Sequence, residues 1–305
     1  MNFLRRSQFS LLTCFVIVSG STAMAGVDPA LLRLVMPDAQ TLSGGQFDQA
    51  QASPLGQFLL SRIQADAGFN KLLTATGFDP RHDLHEVLAA SPAGTTTGLI
   101  LIKGTFQPSK LSAAAVTAGA TRSTYQGIEI LSSPQGNDMP GCVAFLDNTT
   151  VILGDPATVK AAIDRKIFGA AYSGDLLVKA QSASAGNQFW FASLNPPVNL
   201  GANKIPNANL LQSVQQTSAG VSFSAAGVML SADLMTRSPQ DAQALVDVVK
   251  FVISMVQSGS QNKGPEAASV ATLLASAKVN TAGSSMQLAL TVPELQAEQL
   301  LMPRK

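Results

Sequence analysis

The sequence predicts an α+β fold of two similar units, each a mostly antiparallel sheet with helices packed on one face, and three observations carry that prediction. Short runs with period-two alternation recur along the chain, several joined by tight turns, which is the mark of antiparallel hairpins. Between them stand amphipathic segments opened by one repeated device, a short polar residue followed by proline. Each half then shows the same order of strand, helix, strand, helix, closing hairpin and final helix, as an internal duplication would leave it.

The first element is an export leader. Arg5 and Arg6 precede the apolar run from Phe9 to Val18, and Ala23-Met24-Ala25 is a small-x-small cleavage site before Gly26. The run is too short to span a bilayer. Cys14 lies inside it with no small residue before it, which speaks against lipidation. Residues 1–25 are therefore expected to be a signal peptide, sending the chain to the periplasm or the medium. The mature chain keeps 18 of the 20 basic residues and all 19 acids, a formal charge of −1.

Helix starts follow at Asp28-Pro29, Ser53-Pro54, Asp79-Pro80, Asp155-Pro156 and Ser238-Pro239. The side-chain oxygen caps an unpaired backbone N–H, and proline at the first helical position has no N–H to lose. After Ser53, Leu55, Phe58, Leu59 and Ile63 share one helical face; after Asp155, Val159, Ala162 and Ile163 do the same. Ala242 to Val256 is more apolar, but Asp247 and Lys250 interrupt it and its length suits a core helix better than a membrane span. No transmembrane segment is expected in the mature chain.

Strands are expected at Gln40 to Phe47, Thr97 to Phe106, Arg122 to Ser132 and Cys142 to Leu153, the last a hairpin turning at Asp147-Asn148. In the second half they are Gln188 to Leu194, Gly220 to Ser224, Val228 to Met235, Lys278 to Thr281 and Met286 to Val292, with turns at Gly227 and Ala282-Gly283. The polar small-residue run Gln181 to Gly186 marks the boundary, giving units 26–184 and 185–305. A second polar run, Gln257 to Gly264, reads as a mobile loop between two helices.

Composition excludes several classes. Charged residues are 13% and hydrophobic residues 46% of the 305, too few charges and too much core for a disordered chain. No basic cluster follows residue 6, so nothing points to nucleic acid. After leader removal Cys142 is the sole cysteine, expected as a buried hydrophobe, with no intrachain disulfide possible.

Ser53-Pro54-Leu55-Gly56-Gln57, Thr76-Gly77-Phe78-Asp79-Pro80, Lys103-Gly104-Thr105-Phe106, Tyr125-Gln126-Gly127 and Leu146-Asp147-Asn148-Thr149-Thr150 leading to Gly154-Asp155 together resemble uncharacterised exported bacterial proteins. The resemblance covers about residues 39–166. Its motifs are turn and cap residues, so it implies a fold and an address rather than an activity.

The motifs of nucleotide-binding, serine-hydrolase, zinc-protease and calcium-loop sites are missing. Asp79-Pro80-Arg81-His82-Asp83-Leu84-His85-Glu86 is the one cluster dense in ligands and bases. His82 and His85, three apart on a helix, would face one side and with a carboxylate hold a transition metal or supply a general base. The same acids at a capped helix start favourably meet the dipole, and no distant His or Cys closes a zinc site. Gly44-Gly45 reads as a strand-end turn rather than a phosphate cradle. Trp190 reads as interior packing rather than a ligand platform, and Asn148-Thr149-Thr150 as a hairpin turn rather than a glycosylation acceptor.

No catalytic, cofactor-binding or metal-ligating residue is assigned, and an enzyme is disfavoured. The expectation is an exported non-enzymatic protein that binds a small apolar ligand or a protein partner in the groove between its units. Alternatives are an envelope structural or assembly protein and a metal-dependent protein using His82 and His85.

Overall fold

The computed structural model describes residues 26–54, 56–57, 73–94, 98–133, 141–169, 172–195, 208–224, 227–260 and 265–301. Its frame is one antiparallel sheet of twelve strands. In chain order these are β1 (Thr41–Gln46), β2 (Leu84–Ser91), β3 (Leu99–Gly104), β4 (Thr121–Tyr125), β5 (Ile128–Ser132), β6 (Cys142–Phe145), β7 (Thr150–Gly154), β8 (Phe189–Ser193), β9 (Val214–Ser224), β10 (Gly227–Thr236), β11 (Lys278–Ala282) and β12 (Ser285–Val292). Across the sheet they run β11-β12-β10-β9-β8-β1-β2-β3-β7-β6-β5-β4. The halves meet where β1 pairs with β8, Leu42 opposite Ala192 and Gly44 opposite Trp190. Each half lays down three strands as a meander, and its last strand returns to pair with the third: β7 on β3, β12 on β10.

All five polar-proline starts form as the cap argument requires. Asp28 accepts the Ala30 N–H, Ser53 the Gly56 N–H, Asp79 the Arg81 N–H, Asp155 those of Ala157 and Thr158, and Ser238 that of Asp241. They open α1 (Pro29–Leu32), a helix at Pro54, α3 (Pro80–Asp83), α5 (Pro156–Phe168) and α7 (Pro239–Ser260). The other helices with described bounds are α2 (Phe47–Gln51), α4 (Pro108–Thr117), α6 (Asp175–Ala185), α8 (Pro265–Ala275) and α9 (Glu294–Leu301). Leu55, Phe58, Leu59 and Ile63 lie outside the described residues.

The main core sits on one sheet face in the first half. Leu42, Leu88, Leu101, Ile152 and Ala192 project there, buried under Val159, Ala162 and Ile163 of α5, Leu176 and Ala180 of α6, and the segment from Val27 to Ala39. In the second half the cover changes face. β10 and β12 alternate so that Leu230, Leu234, Met286, Leu288 and Leu290 face helices α7 to α9, while Ser231, Asp233 and Gln287 project on the opposite face.

Several expectations need correction. Gln181 to Ala185 is the end of helix α6 rather than a linker, because Ala180, Ala183 and Ser184 are buried. Helix α7 continues through Ser260, so Gln257 to Ser260 is helical rather than loop. Gly44-Gly45 is no turn: both lie within β1, opposite Trp190 and Phe189, whose rings occupy the space a side chain would need. One strand escaped the sequence reading. The cap at Asp79 opens only four helical residues, and Leu84–Ser91 follows as β2, with Glu86, Leu88 and Ala90 alternating inward.

Candidate functional site

Helix α7 is apolar on more than one side. Leu245 and Val246 are buried, and Val248, Val249, Val252 and Ile253, at three- and four-residue spacings, look into a cavity of about 330 Å³. Its floor is the sheet: Leu234 from β10, and Met286, Leu288 and Leu290 at every second position of β12. Leu274 of α8 and Ala277 close one side, Leu210 and Leu211 of the 3-10 turn Ala208–Ser213 another. None of the described side chains in this wall carries an N–H or O–H.

That composition decides the chemistry. A water in such a space finds none of the two to four polar partners it needs, whereas a hydrocarbon gains about 0.8 kcal/mol for each methylene buried. Among the described residues the wall offers no acid, base or nucleophile side chain. The cavity's volume falls at the small end of ligand pockets. Asp247 sits on α7 away from the wall, accepting from Gln243 at 2.9 Å.

The sequence-singled residues are dispersed. His82 ends up in α3 and His85 in β2, so the shared helical side does not form. His85 Nδ1 lies 2.9 Å from Asp48 and Nε2 3.2 Å from Thr105 Oγ1. Among the described residues no group of three His, Cys, Asp or Glu side chains could hold a metal ion. Cys142 is buried in β6 at 2% exposure, and desolvation pushes its thiol above the usual range, the reverse of nucleophile activation. Trp190 is 4% exposed inside the first-half core. Asn148 and Thr149 form the β6–β7 turn, where Asp147 accepts the Thr149 N–H at 2.8 Å.

Glu86 is a buried acid the sequence reading placed at an exposed helix start. On β2 it stands beside Gln46 of β1 and Lys103 of β3, and its Oε1 accepts the Asp28 N–H at 3.1 Å. Lys103 pairs with Asp28 instead. Burial raises the Glu86 carboxyl to about 7, against a smaller opposing effect of the Gln46 hydrogen bond.

The cavity residues of α7, β10 and β12 were legible as apolar, but as core. Leu210, Leu211, Leu274 and Ala277 carried no signal, because a 3-10 turn and a helix end have too short a period to show a face.

No protein-family model matches the chain, and no curated protein matches it. It is similar in fold to three crystal forms of TP0453. Form I is 14% identical over 91% of this chain and 96% of that one, with a TM-score of 0.52. Form III is 12% identical over 90% and 98%, with a TM-score of 0.53. Form IV is 13% identical over 92% and 97%, with a TM-score of 0.52. At this identity the likeness is one of fold alone, and it fits the α+β class.

Proposed function

We propose that this chain is an exported, non-enzymatic binding protein whose second unit takes up a small apolar ligand. The observation that carries the reading is the wall of the α7–α8–β12 cavity, thirteen residues without one polar side chain. This cavity lies within the second half rather than between the two units. No described helix is long and apolar enough to cross a membrane. Export rests on the leader pattern of residues 1–25 and the resemblance to exported bacterial proteins over about residues 39–166.

We also infer that units 26–184 and 185–305 arose by duplication. The matching meander and returning strand of each half support this. The helices that follow the returning strands differ, α5 packing on the Ile152 face and α9 on the Val228 and Val292 face opposite.

The binding reading is tested with cis-parinaric acid, whose polyene chain fluoresces when it leaves water. Saturable one-to-one binding is expected, weakened about tenfold or more in Ala277→Phe and Val249→Phe, which fill the cavity with an apolar ring. Circular dichroism checks that both variants stay folded. No binding, or equal binding by wild type and both folded variants, would overturn the reading.

A further inference from the structure

We propose that a second, separate cleft, between the segment after α1 and the C-terminal end of α5, binds a phosphate group. The cleft has a volume of about 350 Å³. Four cationic side chains line it: Arg33, Lys103 on β3, and Arg165 and Lys166 on α5. Two acids, Asp28 and Asp147, line it as well. The two lysines are spent on those acids, Lys103 on Asp28 and Lys166 on Asp147 at 2.7 Å. Arg33 and Arg165 have no carboxylate within 4 Å among the described residues.

Arg165 is the most telling of these groups. Its Nε donates to the Leu34 carbonyl at 2.9 Å, which ties the guanidinium to the segment that carries Arg33. Its Nη2 is buried with no acceptor. Arg165 is half-buried, and a buried donor without a protein acceptor is unfavourable, since nearly all such groups in folded proteins find a partner. Burial presses its pKa below the usual arginine value, with Asp38 and Asp164 acting the other way from beyond ion-pair distance. Asp164 meanwhile accepts the Tyr125 hydroxyl at 3.0 Å.

The two guanidinium groups that stand outside any ion pair among the described residues match the charge of one dianion. Their planar forks suit the oxygens of a phosphate monoester, and the Thr150 hydroxyl in the wall adds a polar group at the β6–β7 turn, where the Thr149 hydroxyl already donates to Asp147 at 2.7 Å. The helix dipole gives no assistance, since the last turn of α5 is its negative end. The charge attraction for the anion therefore comes from the arginines.

The mature chain is titrated calorimetrically with inorganic phosphate at fixed ionic strength. Saturable binding is expected, absent with chloride, and weakened about tenfold by Arg33→Gln. Arg165→Gln should weaken it as well, but its bond to Leu34 also supports the fold, so the exposed Arg33 is the deciding variant. Lys250→Gln, on α7, should leave affinity unchanged. Repeating the titration with glycerol 3-phosphate separates two sources: tighter binding assigns the headgroup of a phospholipid, equal binding the free ion. Failure of both phosphates to saturate, or affinity for them unchanged by Arg33→Gln, would overturn the proposal.

Discussion

Gly44→Ala is expected to destabilise the fold by about 3 kcal/mol, at the upper end of the cost of forcing extra volume into a packed core. Alanine within a strand ordinarily gains over glycine, whose unfolded chain has more freedom to lose. Here the sign reverses. A Cβ at Gly44 would lie 2.6 Å from three atoms of the Trp190 indole, well inside contact distance. The ring has nowhere easy to go, being 4% exposed within the main core. Because Gly44 and Trp190 face each other where β1 meets β8, relief would mean shifting the strand pair that joins the halves. The loss is read as a lowered urea midpoint at unchanged slope. Trp190→Phe in the Gly44→Ala background should recover part of it, the two changes being coupled through one contact. A midpoint equal to or above that of wild type would contradict the packing argument.

Glu86→Gln is expected to stabilise the protein above neutral pH and to change little in acid. The carboxyl titrates at its ordinary 4.5 when unfolded and at about 7 when folded. Between those values the folded state binds more protons than the unfolded one, so this group's contribution to stability falls as pH rises through the window. Below pH 4.5 both states are protonated and no penalty exists. Above pH 7 the penalty is complete, on the order of 3 kcal/mol at 1.36 kcal/mol per pH unit. Glutamine keeps an oxygen for the Asp28 N–H and removes the charge. The difference between variant and wild type, measured by urea unfolding at pH 4, 6 and 8, should grow from near zero toward that figure. A difference independent of pH, or a variant less stable at pH 8, would contradict the assignment of a desolvated acid beneath residues 27–36.

Local rules made much of the fold legible. A polar cap followed by proline is a self-contained signal, which is why all five starts form at the residues that announce them. The hairpin turn at Asp147-Asn148 is equally local, and the one expected at Ala282-Gly283 forms one residue later, at Gly283-Ser284, with Ala282 still paired in β11. What failed was whatever depended on a distant partner. Leu84–Ser91 begins directly after a helix cap, so the cap's acids and histidines masked a strand whose place is set by β1 and β3. Gly44-Gly45 reads as a turn until Trp190, far along the chain, is laid across it. Gln181 to Ala185 has a linker's composition, yet Ala183 and Ser184 within it are buried as part of helix α6. The cavity was hidden for the same reason: an apolar residue lining a space and one filling a core are identical in sequence.

The most direct test of apolar ligand binding is a native mass spectrum of the chain produced with its own leader and purified gently from the exported fraction. The account predicts the mass of residues 26–305 plus an increment extractable into organic solvent, lost in Ala277→Phe. A bare mass for the exported wild type, or an increment that Ala277→Phe leaves in place, would contradict it.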